Sequence, residues 1–186
     1  MNLDKIENGF RLLIEGTGDN PARTGLVETP KRAAQGLTAL LEGYDQDDGS
    51  FYKTFECNNS DLVLVRDIEF ASVCEHHFMP FYGLVTLGYI PSGRILGLSK
   101  FCRIVDCFSK RLQIQENLVR DIGNSIVEHL RPSDLFVLAR AKHLCMTCRG
   151  VNKRKVNVTT LFTYGKYANS SEIDLLKLAG DGANSF

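Results

Sequence analysis

The chain reads as an α+β protein: a four-stranded, mostly antiparallel sheet with helices on one face, preceded by N-terminal helices. Two observations predict this. The apolar period changes from helical to alternating near Asp61, and the elements then follow as helix, helix, strand, strand, helix, helix, strand, strand, which is not the strict interleaving of a parallel α/β sheet.

Each element has a local reason. Residues 2–15 carry a helical pattern, and Thr29-Pro30 has the form of an N-cap followed by proline in the first helical position. That opens a second helix, with Ala33, Leu37, Leu40 and Leu41 on one face, expected to end at Gly43. Residues 42–61 are polar and turn-rich, a soft boundary. Beyond it Ile68, Phe70 and Ser72 alternate with Asp67 and Glu69, and Val85, Leu87 and Tyr89 alternate with Thr86 and Gly88, giving two strands joined by CEHHFMPFYG. Phe101, Ile104, Val105 and Phe108 form the stripe of a third helix. Leu118, Ile122, Ile126 and Leu130 form that of a fourth, stopped by Arg131-Pro132. Residues 134–141 form a third strand, and Val156, Val158, Thr160, Phe162 and Tyr164 alternate along a fourth. The division expected is an N-terminal helical extension (1–60), a domain carrying the sheet (61–167) and a tail (168–186) with one short helical turn.

Composition narrows the function classes. The 186 residues are 44% hydrophobic and 24% charged, which excludes disordered, collagenous and coiled-coil chains. No apolar run approaches the roughly 18 residues of a membrane helix, and the N-terminus lacks a basic region followed by an apolar stretch, so a cytoplasmic protein without a membrane partner is expected. The 22 basic and 22 acidic residues cancel, which argues against broad nucleic-acid binding. The balance is uneven, however: residues 1–60 hold ten acids and six bases, whereas residues 142–155 hold five bases and no acid. Such a patch suits a small anionic ligand, or is simply a solvated turn.

Six cysteines without a secretory leader point to thiols or metal ligands. Cys74 and His77 are spaced Cys-x2-His, and Cys145 lies beyond the third strand. Three such ligands suit zinc with a fourth position open to water. Cys148 offers a competing arrangement, a closed four-ligand structural site. His76 and His143, adjoining the ligand candidates, favour the open site because a structural knuckle has no need of extra imidazoles able to act as acids or bases. His129 and the remaining cysteines read as incidental. Ser99, Lys100 and Arg103 open a helix in the manner of a phosphate site, and Gln115-Glu116 opens the next, where a carboxylate and an amide suit a guanine edge.

Taken together, TPKRAAQ (29–35), VRDIEFASVCEHHFMPFYG (65–83), YIPSGRILGLSKFCRIV (89–105), KRLQIQENL (110–118) and HLCMTCRGV (143–151) resemble the GTP cyclohydrolase I family of tunnelling-fold enzymes. The resemblance implies hydrolysis of GTP at C8, release of formate and rearrangement to 7,8-dihydroneopterin triphosphate. It implies zinc on Cys74, His77 and Cys145, leaving Cys148 aside. The catalytic group would be His143 as proton donor to the purine, His76 as the acid assisting ribose opening, Ser99 in the later carbohydrate rearrangement, and Gln115 beside Glu116. Glu116 would read the guanine edge, while Lys100, Arg103, Arg149 and Arg32 would hold the triphosphate. A homodecamer of two stacked pentamers, with active sites across interfaces, is also implied. The chain departs from the family pattern at Arg140, where an acid is expected, at Cys148, and along the last strand. These departures keep two alternatives in view: a non-catalytic relative with a closed zinc site, and an enzyme that stops at a ring-opened intermediate.

Overall fold

The computed structural model describes residues 1–180. Helix α1 (Leu3–Gly16) starts at Asn2, whose side chain accepts from the Lys5 amide at 2.9 Å, and it packs mainly on α2 (Thr29–Leu40). The α2 cap is Glu28, one residue before the expected Thr29, with Pro30 in the first turn. The α-helix stops before Gly43 because the chain tightens into a 3-10 turn over Glu42–Asp45. There Gly43 donates to the Lys110 carbonyl, and a Cβ would overlap the Cys107 carbonyl.

Strand β1 (Thr54–Glu56) pairs with β4 (Arg94–Leu96), a small ribbon that the alternation did not reveal. Strands β2 (Val63–Cys74) and β3 (Pro80–Ile90) form the central hairpin. A bulge between Val65 and Ile68, with Asp67 at φ 57°, restores the alternation that puts Ile68, Phe70 and Ser72 inside. Helix α3 (Leu98–Ser109) leads to β5 (Leu112–Gln113), and α4 (Gln115–Leu130) ends at Arg131 in the left-handed conformation. Strand β6 (Asp134–His143) runs into the short helix α5 (Leu144–Thr147), and β7 (Val158–Tyr164) closes the sheet.

The order is β5-β2-β3-β6-β7. The α+β class and the antiparallel core are as expected, but the four expected strands gain a fifth. It is the two-residue β5, parallel to the end of β2, too short to carry a period. The last strand starts at Val158 instead of Val156, because the chain is still leaving a turn at residues 154–155.

Helices α3 and α4 cover one face. Phe101, Ile104, Val105, Leu118, Ile122 and Ile126 are buried there against Phe81, Val85, Leu87, Val137 and Ala139. On the opposite face Phe136 packs with Tyr167 and Leu175, so the tail carries the two-turn helix α6 (Glu172–Ala179) where one turn was expected. His129 belongs to a structural cluster: it lies 3.7 Å from Asp48, which accepts from Ser125 at 2.5 Å, and Ser125 bonds Tyr52 at 2.7 Å. All six cysteines are free. Among the described residues no helix is long and apolar enough to cross a membrane.

Gly123 marks the tightest contact of α4 with the sheet, since a Cβ there would run into the Phe162 ring, whereas one on Gly9 in α1 would meet nothing within 4 Å. Gly123→Ala should therefore lower stability by about 1–3 kcal/mol. Gly9→Ala should raise it by about 0.5–1 kcal/mol. Urea denaturation of the two variants beside the parent measures both signs.

Candidate metal centre

Strands β2 and β6 both run antiparallel to β3, on its two sides, so their C-terminal ends meet at one edge of the sheet. Cys74 ends β2, and His143 ends β6 opposite Phe81, with Cys145 in the turn that follows. Between Cys74 and Pro80 the chain makes a tight loop: the Phe78 amide donates to the Cys74 carbonyl and the Cys74 amide to the Met79 carbonyl, each at 2.8 Å. Phe78 sits at φ 56°, and the loop turns His77 back over Cys74.

The outcome is a compact donor set. The ligand atoms of Cys74, His77 and Cys145 lie within 4.8 Å of one another, with the two thiols buried and the imidazole exposed. Cys74 Sγ and His77 Nδ1 are 3.6 Å apart. Two thiols and an imidazole are the borderline-soft donors that zinc takes readily. Burial pushes the Cys145 thiol up, and the neighbouring Cys74 adds to this, so a cation displaces protons when it binds. Cys148 is not part of the set. Its exposed thiol turns back to donate to the Leu144 carbonyl at 2.9 Å, which leaves three protein ligands among the described residues.

The same edge carries several other candidates. His143 stacks on Phe81, centroids 4.6 Å apart and planes at 3°, and its Nε2 lies 2.8 Å from Gln115 Oε1. Burial holds His143 below the usual histidine range, offset in part by the Glu116 carboxylate. His76 is exposed, 3.6 Å from Glu75 and edge-on to His77. Glu116 opens onto a cleft beside the free edge of β7, with Arg120, Thr160 and Phe162. Arg149 is exposed in the turn after α5, close enough to lower the Cys145 thiol slightly. Phe81 was hidden in the sequence, because its contact with His143 depends on the β3–β6 register.

Ser99, Lys100 and Arg103 are not brought to this edge. They lie in the first turns of α3, where Phe101 packs on Tyr89 at 5.4 Å. Tyr89 is eight positions along β3 from Phe81, which is about 27 Å at the rise of an antiparallel strand. Arg103 instead lines a cleft with Gln46, Phe51 and Asp106. Arg32 is exposed on α2 and ion-paired with Glu28. One chain therefore holds the candidate metal ligands and the hydroxyl and cations of α3 at opposite ends.

Comparison with known proteins shows what the chain is similar to. The family model for GTP cyclohydrolase I matches residues 6–178. A GTP cyclohydrolase 1 of Clostridium kluyveri is 43% identical over 92% of this chain and 94% of its own length. One from Chromohalobacter salexigens is 41% identical over 90% of this chain and 92% of its own. One from Drosophila melanogaster is 41% identical over 89% of this chain and 52% of its longer sequence. Among solved structures, the apo form of archaeosine synthase QueF-Like has a TM-score of 0.47 at 22% identity, over 56% of this chain and 93% of that one.

The donor set leads to an expected contrast between two thiols. Cys145→Ser should abolish stoichiometric metal binding, whereas Cys148→Ser should leave one metal per chain, read by elemental analysis after dialysis. Because the thiols must lose protons, affinity should fall as pH is lowered, which calorimetric titrations with zinc at several pH values measure.

Proposed function

The chain belongs to the GTP cyclohydrolase I family, and on that premise we propose that it hydrolyses GTP at C8, releases formate and closes the product to 7,8-dihydroneopterin triphosphate, with zinc on Cys74, His77 and Cys145. The observation that carries this reading is the convergence of three ligands beside a stacked, half-buried imidazole at one sheet edge. Zinc bound there supplies Lewis acidity and activation of water near neutral pH.

The chain's own residues do the remaining work. His143 relays a proton to the purine's five-membered ring as charge develops on it, and its stack on Phe81 restrains the ring plane. His76, more exposed, serves the later opening of the ribose. Glu116 accepts hydrogen bonds from the guanine edge within its cleft. Arg149 reaches the polyphosphate from the metal end, and Ser99, Lys100, Arg103 and Arg32 complete the site with a hydroxyl and further cations.

That last group requires a second chain. With α3's first turn packed against Tyr89, about 27 Å along β3 from Phe81, a GTP bound at the metal draws Ser99, Lys100 and Arg103 from a neighbouring subunit. The free edges, at β7 and along the part of β2 that β5 leaves unpaired, are where subunits join. A homodecamer of two stacked pentamers satisfies this, in the cytoplasm where GTP is available. The catalytic domain spans residues 61–167, flanked by the N-terminal extension (1–60) and the tail (168–186).

Zinc-loaded protein incubated with GTP should release formate and develop the pterin chromophore together. Neither product would overturn the reading, and formate without pterin would restrict it to the hydrolytic step. His143→Ala should retain its zinc and lose about 10²–10⁴-fold in turnover. Mixing inactive His143→Ala chains with inactive Lys100→Ala chains should restore part of the activity if sites are shared.

A further inference from the structure

We propose that Gln115 is the positioning residue of the site: its side chain locks His143 into the tautomer with the proton on Nε2, so that Nδ1 is the nitrogen that exchanges a proton with the substrate. The inference rests on the cyclohydrolase reading for its consequence but not for its geometry.

The orientation of a glutamine amide is ordinarily ambiguous, because its oxygen and nitrogen look alike. Here the partners decide it. One terminal atom of Gln115 lies 3.0 Å from both the Ala139 and the Val158 carbonyl oxygens. Carbonyls only accept, so that atom is the nitrogen, and its two hydrogens are both used. The other atom is the oxygen, which also only accepts, and it faces His143 Nε2 at 2.8 Å. His143 must therefore donate from Nε2. A neutral imidazole carries a single N–H, which leaves Nδ1 with a free lone pair.

The surroundings make this a fixed arrangement. Gln115 is 1% exposed and stands at the first position of α4. Its two donated bonds tie that helix to β6 and β7, and Thr160 Oγ1 donates to the Gln115 carbonyl at 3.5 Å. Phe81 covers one face of the His143 ring. Slipping the tautomer would set the Nε2 lone pair against the Gln115 oxygen unless the amide flipped and broke both strand ties. The bond also removes Gln115 from direct base recognition, since its amide hydrogens are no longer available to a guanine and Glu116, the exposed neighbour, is left to read that edge. Gln115 acts on the reaction through His143, without touching the substrate.

The test is spectroscopic first. Zinc-loaded, full-length protein labelled with 15N-histidine is measured by solid-state NMR, with the His143→Ala spectrum identifying the His143 signals. A protonated Nε2 and an unprotonated Nδ1 are expected in the neutral ring, and a protonated Nδ1 or an averaged pair would overturn the proposal. Gln115→Met then removes the acceptor at similar length. It should lower kcat for GTP about a hundredfold with KM changed less than about twofold, whereas a raised KM with preserved kcat would overturn the proposal by showing direct contact with the base. Should Gln115→Met fail to fold, the wild-type spectrum decides by itself. Failure of the wild-type protein to make formate would count against the function and leave the tautomer result standing.

Discussion

The site depends on one constraint of register: β3 pairs antiparallel with β2 on one side and β6 on the other, so the ends of those two flanking strands are forced to the same edge. Cys74 and Cys145 are seventy-one positions apart in sequence, yet their ligand atoms and that of His77 fall within 4.8 Å of one another. A slip of one residue between β3 and β6 would turn His143 away from Phe81 and exchange the faces of the whole strand. The buried alternation of Leu135, Val137, Ala139 and Ala141 resists such a slip, because it would place Phe136 and Arg140 in the helix-covered core.

Helix α4 extends this constraint into the polar part of the site. Its apolar stripe seats it on the sheet, and the close approach at Gly123 sets its height over β7. Its first residue, Gln115, is thereby held where its amide reaches β6, β7 and His143 together. Burying that amide costs little because both donors and the acceptor are satisfied; left unpaired, each would carry a penalty of about 1–3 kcal/mol. A polar side chain fully satisfied in a core joins elements rigidly.

The opposite end of the molecule tells the complementary story. The first two turns of α3 present Ser99, Lys100 and Arg103 far from the Cys74, His77 and Cys145 group, and the sheet leaves its outer strand β7 unpaired on one side. Helix α1 likewise exposes Leu12 and Leu13 and buries no residue, leaving an apolar surface on the N-terminal helices. The candidate groups are thus divided between the two ends of the chain, and its edge strand is open, which is why the proposed function draws on a second copy.

Much of this was legible in the sequence, for reasons of period and spacing. The buried stripes of α3 and α4 and the inward residues of β2 and β3 follow from local alternation, which needs no knowledge of the partner. Cys-x2-His works as a ligand pair because a short loop suffices to bring both side chains together. By contrast, β1, β4 and β5 are two or three residues long and carry no period, so pairing alone defines them. The choice between Cys148 and an open metal position was undecidable from spacing, because both cysteines follow the same strand. In the structure the local turn directs the Cys148 thiol to Leu144, away from the Cys74, His77 and Cys145 group. Gln115 is the clearest case. Its position at a helix start is written in the sequence, but its role comes from three acceptor and donor contacts made across 24 to 43 positions, which only the packed sheet and helix bring within hydrogen-bond distance.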